Sequence, residues 1–299
     1  STSLTTSFAR RAVQGVRRIN AALLAPSRVE GMSACVEAMA VAILSWMPEE
    51  LQNAMLQDMV RVGLHIGHRR SRRHPAMMPY VYGARGNTEI IDLIKTAEAL
   101  RRAADFLSAK AADGATILLV GTRQGLASLA KEVARELGLP YVASRWIGGT
   151  ITNFSVINKR LEAFRNLAQR EASGELAEKY TKAERVRFQR QLGRLEEELG
   201  GIRDLLRPPD ALVLVSLRGD RLAAREARLR GIPIVALADL DADPSLADFP
   251  IPGNDDALPA VRYVLGKLAD AIREGQQIHR ARVKAQNEGK EPEEKTATA

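Results

Sequence analysis

The residues best equipped for chemistry lie in one stretch, 62–96 (VGLHIGHRRSRRHPAMMPYVYGARGNTEIIDLIKT). It carries Arg69, Arg70, Arg72 and Arg73 with His65, His68 and His74, and no acid lies between Asp58 and Glu89. Guanidinium forks bind phosphate oxygens in pairs, and each such contact displaces condensed counterions, so the pattern points to a polyanion. Pro75 and Pro79 follow the arginines, which predicts an extended or turned segment rather than a helix. Met77, Met78, Tyr80 and Tyr82 come next and suggest a loop packed down at one end and presented at the other. A solvated basic loop is the plainer reading, since short arginine runs are weak motifs.

Four other constellations invite chemical readings. The histidine trio suggests a metal, but no carboxylate or cysteine lies close by in sequence, and the neighbouring arginines, Arg61 included, oppose a cation; no metal site is expected there. DLDAD (239–243) could weakly hold a hydrated ion, although a loop or helix-cap role fits better. VGTRQG (120–125) sits between a strand signal and a helix signal, where glycine-rich turns cradle phosphates. It matches neither phosphate-loop nor dinucleotide fingerprints. Arg123 adds charge where a phosphate, including one of an RNA backbone, could bind. RWIGGTITNF (145–154) is the fourth: Arg145 and Trp146 end a strand, Thr150 or Thr152 can cap the next helix, and Lys159 and Arg160 follow on that helix. Its plainer role is a hinge. No nucleophile–base arrangement is visible and no catalytic residue is assigned.

The elements that must hold these residues read as follows. The chain has 299 residues and a formal charge of +8, enough for a sizeable core and consistent with a polyanionic partner. Its lone Cys35 excludes an internal disulfide. The apolar stretch 33–47 is too short for a membrane span and contains Glu37. Residues 1–28 hold Arg10, Arg11, Arg17, Arg18 and Arg28 and no acid, the composition of an organellar transit peptide or of a basic arm. Alanine-rich 29–46 and then PEELQNAMLQDMVRVG read as helices, Gly63 ending the second. ATILLVG, PYVASRW, ALVLVSL, IPIVALAD and FPIPGN read as five short buried strands alternating with helices, hence a doubly wound parallel α/β sheet. Between the second and third strands, Phe154, Ile157, Leu161, Phe164 and Ala168, then Phe188, Leu192, Leu195, Leu199 and Ile202, repeat at alternating three and four spacings. This predicts an inserted antiparallel helical hairpin with a coiled-coil seam. The expected organisation is an extension over 1–50, α/β segments over 51–150 and 206–274, the hairpin over 151–205, and a charged disordered tail over 275–299.

The ordered set VGLHIGHRRSRRHPAMMPYVYGARGNTEIIDLIKT, ILLVGTRQ, PYVASRWIGGTITNF, LGGIRD, PDALVLV, EARLRGIPIVALADLDADP and IPGNDDA resembles the bacterial-type ribosomal small-subunit protein two family, over roughly 51–272. The resemblance implies a flavodoxin-like sheet with a protruding coiled-coil hairpin and a structural, non-catalytic protein without cofactor. Its partners would be small-subunit rRNA and neighbouring small-subunit ribosomal proteins, with no membrane and no small-molecule substrate. It implies rRNA contacts by Arg69, Arg70, Arg72, Arg73 and His74, and secondarily by Arg123, Arg145, Trp146, Lys159 and Arg160. The first 50 residues fall outside the family pattern, and the arginine-rich start favours a mitochondrial ribosome, with plastid and bacterial cytoplasm open. The competing class is a nucleotide- or flavin-dependent α/β enzyme using the carboxyl ends of the strands.

Overall fold

Three apolar runs of four or five residues, 117–120, 211–214 and 234–238, are buried throughout, and helices lie between them in the chain; such runs belong in the middle of a parallel sheet covered on both faces. The computed structural model describes residues 54–175 and 179–288. The 1–50 extension, with Cys35, and residues 289–299 lie outside them.

Five parallel strands form the centre: β4 (Ile117–Val120), β5 (Tyr141–Val142), β6 (Ala211–Leu214), β7 (Ile234–Ala238) and β8 (Phe249–Pro252), in the order β5-β4-β6-β7-β8. β1 (Ile66–Arg69), β2 (Val81–Arg85) and β3 (Thr88–Ile91) come before them in the chain. The helices are α1 (Ala54–Arg61), α2 (Leu93–Ala112), α3 (Ala127–Leu137), α4 (Phe154–Ala172), α5 (Lys182–Leu199), α6 (Arg221–Leu229) and α7 (Leu258–Glu288). Alternate residues of each central strand enter opposite cores. Ile117, Leu119, Ala211, Val213, Val235 and Leu237 pack with α1, α2, α3 and α7. Leu118, Val120, Leu212, Leu214, Ile234 and Ala236 pack with α4 and α6. This is the two-residue period of a strand, expressed here as two apolar faces rather than one.

The five-strand sheet agrees with the sequence pattern, although PYVASRW forms only the two-residue β5. The sequence pattern did not anticipate a second, antiparallel sheet of order β1-β3-β2 built from the basic stretch itself. Its β2–β3 turn is Gly86-Asn87, with Gly86 at φ +58°, a glycine-led hairpin turn of two residues. The strands are short and mostly half-exposed, so neither alternation nor an apolar run announces them.

α4 and α5 pack antiparallel. Arg160 near the start of α4 meets Glu198 near the end of α5 (3.6 Å), while Arg170 near the end of α4 donates to Tyr180 Oη just before α5 (2.7 Å). Ile157, Leu161, Phe164 and Leu167 are buried on α4; on α5, Leu199 is buried and Phe188, Leu192 and Leu195 are half-buried. Thr181 and Glu184 form a capping box that starts α5. The tail departs from expectation. α7 runs on to Glu288, so 275–288 is helical rather than disordered. Its continuation is held by Gln276 Nε2 donating to Leu137 O (3.0 Å) and by the His279 ring against Ala112 O (3.3 Å). Gly275 lets α7 pass close to Ser108 and Ala111 of α2, which any side chain would block.

Candidate nucleic-acid interface

The arginine loop runs from the end of β1 to the start of β2. Its backbone is pinned at both ends. Arg70 N donates to Asn87 O (3.2 Å) and His74 N to Leu240 O (2.7 Å). Arg73 Nη1 pairs with Glu89 Oε1, and Glu89 is buried. His74 Nδ1 accepts from Ala76 N (3.3 Å) and caps the 3-10 turn 75–80, while Met77 is fully buried under it. Between these pins, Arg70–Arg72 make a single 3-10 turn with no buried residue. Arg69, Arg70 and Arg72 are exposed and form no ion pair among the described residues. The predicted anchor-and-present arrangement is thus realised by three arginines. Arg73 is a pin: its side chain is 19% exposed and its charge is committed to Glu89.

The glycine turn after β4 is already filled by the chain's own carboxylates. Thr122 donates from its backbone N (3.2 Å) and its Oγ1 (2.6 Å) to Asp220 Oδ1. Arg123 reaches Asp255 Oδ1 (2.8 Å), Asp255 O (3.0 Å) and Asp256 Oδ1. Burial works against its charge, but those carboxylates outweigh it and raise the pKa above the arginine norm. Ser216 Oγ donates to Asp255 Oδ2 (2.6 Å). Burial pushes both the Asp220 and the Asp255 carboxyl up. The groups a nucleotide phosphate would need are therefore spent on internal acids. Gly121 serves packing: a Cβ there would lie 2.8 Å from Ala130 Cβ and 2.9 Å from Val215 Cγ2.

The same end of the sheet gathers His68. Its Nδ1 lies 3.2 Å from Asp239 Oδ2, and its Nε2 lies 3.4 Å from both Asp241 Oδ2 and Asp256 Oδ2. The hydrogen bond to Asp239 raises its pKa against the pull of burial, helped by the fields of Asp239, Asp256 and Asp255. No carboxylate lies close to His68 in sequence, but the fold brings Asp239, Asp241 and Asp256 to it from far along the chain. His68, Asp239 and Asp256 bring ligand atoms within 4.8 Å of one another, a nitrogen–oxygen set of the kind zinc accepts. Arg123, and Arg218 paired with Asp241, oppose a cation there. His65 is buried, and burial lowers its pKa.

Trp146 is not a surface ligand. It is 6% exposed and its Nε1 donates to Glu226 Oε1 (3.1 Å). Glu226, on α6, organises the whole 146–152 turn. It also accepts from Gly149 N (2.8 Å), Ile151 N (3.1 Å), Thr152 N (3.2 Å) and Thr152 Oγ1 (3.2 Å). Burial pushes its pKa up, but these bonds win and hold it below the ordinary glutamate value. Neither threonine caps α4: Thr150 Oγ1 donates to Ile147 O (2.6 Å), and Asn153 occupies the cap position without a capping bond. Arg145 and Lys159 are exposed, and Arg160 is 44% exposed beside Glu198. β5, which leads to Arg145, is separated by β4 and β6 from β7, which leads to the arginine loop's contact at Leu240. At about 4.8 Å per strand that is roughly 14 Å, so the candidates form two patches rather than one.

Residues 59–275 match the family described as Ribosomal protein S2. The chain is 41% identical over 220 residues to the small ribosomal subunit protein uS2 of Crocosphaera subtropica, covering 74% of this chain and 81% of that protein. It is 40% identical over 220 residues to the small ribosomal subunit protein uS2c of Cyanophora paradoxa, covering 74% and 94%. It is 39% identical over 222 residues to uS2 of Fusobacterium nucleatum, covering 74% and 90%.

Proposed function

The chain belongs to the ribosomal protein S2 family, and from that premise we propose that it holds small-subunit rRNA through the loop that presents Arg69, Arg70 and Arg72. It is a structural constituent of the small ribosomal subunit, in company with rRNA and neighbouring ribosomal proteins, and not an enzyme. The observation that carries the loop assignment is the contrast between its rigid pins and its three unpaired guanidinium groups. Arg145, Lys159 and Arg160 are further phosphate contacts, and His74 contributes by pinning and capping the end of the loop. Arg73, Arg123 and Trp146 hold the fold instead. Among the described residues no helix is long and apolar enough to cross a membrane. The arginine-rich, acid-free stretch 1–28 supports a mitochondrial ribosome as the setting.

The test is co-sedimentation with the small subunit through a sucrose gradient at physiological salt. Replacing Arg69, Arg70 and Arg72 by alanine releases the protein from the subunit; full retention refutes the loop assignment. Fractionating organelles from cytosol before the gradient decides the compartment, and recovery only in a cytosolic or plastid particle refutes the mitochondrial setting.

A further inference from the structure

The helical hairpin carries a second concentration of arginine that the loop does not explain. Arg160 of α4 and Arg187, Arg190 and Arg194 of α5 line a groove of about 520 Å³, together with Gln191 and Glu198. The three α5 arginines are spaced three and four residues apart, so they form one stripe about 10 Å long at 1.5 Å of rise per residue. All three are exposed, and none forms an ion pair among the described residues. The one acid of the groove, Glu198, faces Arg160 at 3.6 Å. The adjacent acids Glu196 and Glu197 line a different crevice, with Lys131 and Ser128 of α3. Glu198 borders that crevice as well, so the acids 196–198 gather at the C-terminal end of α5 and the arginine stripe precedes them.

The stripe itself carries a local cost in the free protein. Like charges three and four residues apart destabilise a helix by a few tenths of a kcal/mol per pair, as Arg187–Arg190 and Arg190–Arg194 do; acids stand at the same spacings only at the ends of the stripe, Glu184 before Arg187 and Glu197 and Glu198 after Arg194. An anion laid along the stripe relieves the repulsion. Apart from Leu195, every residue lining the groove ends in a guanidinium, amide or carboxylate group, carried on an aliphatic stem. Protein interfaces centre on apolar anchors, whereas nucleic-acid interfaces are polar and strongly positive.

We propose that this groove is a second, sequence-independent RNA site, in which Arg187, Arg190, Arg194 and Arg160 grip successive phosphates of the rRNA backbone. The inference rests on the rRNA-binding reading above, shares Arg160 with it, and adds the three arginines of α5. The test measures binding of the full-length protein to a transcribed small-subunit rRNA across a salt series. R187Q/R190Q/R194Q is compared with R69Q/R70Q/R72Q. The hairpin variant keeps its helix content and its thermal stability. Its log–log salt slope falls by about 3, one per lost phosphate contact, and its affinity at 0.15 M salt drops on the order of tenfold or more. An unchanged slope and affinity in the hairpin variant, with both reduced in the loop variant, overturns the groove and leaves the loop standing. A wild-type protein that binds no rRNA overturns both. Should the triple variant lose helix content, a photoreactive residue at Gln191 in assembled subunits decides: a crosslink to rRNA supports the groove, and a crosslink to protein alone overturns it.

Discussion

The carboxyl ends of the parallel strands and the arginine loop are both crowded with charge, and they treat it in opposite ways. At the strand ends, Arg123, Arg218 and His68 each face at least one carboxylate, and the turn amide of Thr122 is taken by Asp220. On the loop, one arginine of four is paired, and the other three are held out by a braced backbone. Paired charge in a partly dry network is part of the fold, where loss of one partner strands the other. Unpaired charge on a rigid frame is surface offered to something else. The comparison also explains why a nucleotide-enzyme sheet carries no turnover here: the crevice that such folds use for phosphate is closed by the chain's own acids.

The largest expected effect comes from breaking a closed network. Glu226→Ala removes the acceptor of five hydrogen bonds and leaves the Trp146 indole and the Gly149, Ile151 and Thr152 amides without that partner. Stability should fall by roughly 3–5 kcal/mol in urea denaturation. A loss under about 1 kcal/mol would mean that the turn holds itself.

The open region should respond the other way. Arg69, Arg70 and Arg72 replaced together by alanine should change stability by less than about 0.5 kcal/mol, the usual range for surface positions. The same change should lower the rRNA salt slope by about 3. A variant that both unfolds and keeps its rRNA affinity would reverse the comparison.

Gly121→Ala sharpens the reading of the crevice. The new methyl would press on Ala130 and Val215, so overpacking of roughly 1–3 kcal/mol is expected, read as a lower Tm. The rRNA affinity of the folded fraction should not move. A drop in affinity at unchanged stability would put a ligand at this turn after all.

Much of the scaffold could be read directly from the chain, because burial leaves a mark on residue type. Five β-rich runs between helical segments could only be a covered parallel sheet, and apolar spacings of three and four marked the α4–α5 hairpin. What escaped was pairing across long separations. Glu226 sits in a helix among arginines and looks like any solvated glutamate. Its partners lie 74 to 80 residues earlier. The carboxylates around His68 come from two later loops, so local sequence shows three histidines among arginines and nothing to pair with them. Trp146 next to Arg145 resembles a base-stacking patch until α6 covers it. Gly86-Asn87 between VYGAR and TEII did carry a hairpin signal, masked by the prolines and arginines before it.

The smallest effect separates structural from titrating roles at Glu226. Its folded pKa lies below the ordinary glutamate value of 4.5, through bonds that outweigh burial. A depressed carboxylate contributes stability that is fully present above the unfolded pKa and is lost as pH falls through the folded one. Wild-type protein and Glu226→Gln should therefore differ by a constant amount at neutral pH. Below about pH 4.5 the two stability curves should converge, since the glutamine variant has no proton to take up at this site. Urea denaturation at half-unit steps from pH 7 to pH 3 follows this directly. Parallel curves down to pH 3 would show that the turn draws on the shape of the side chain and not on its charge.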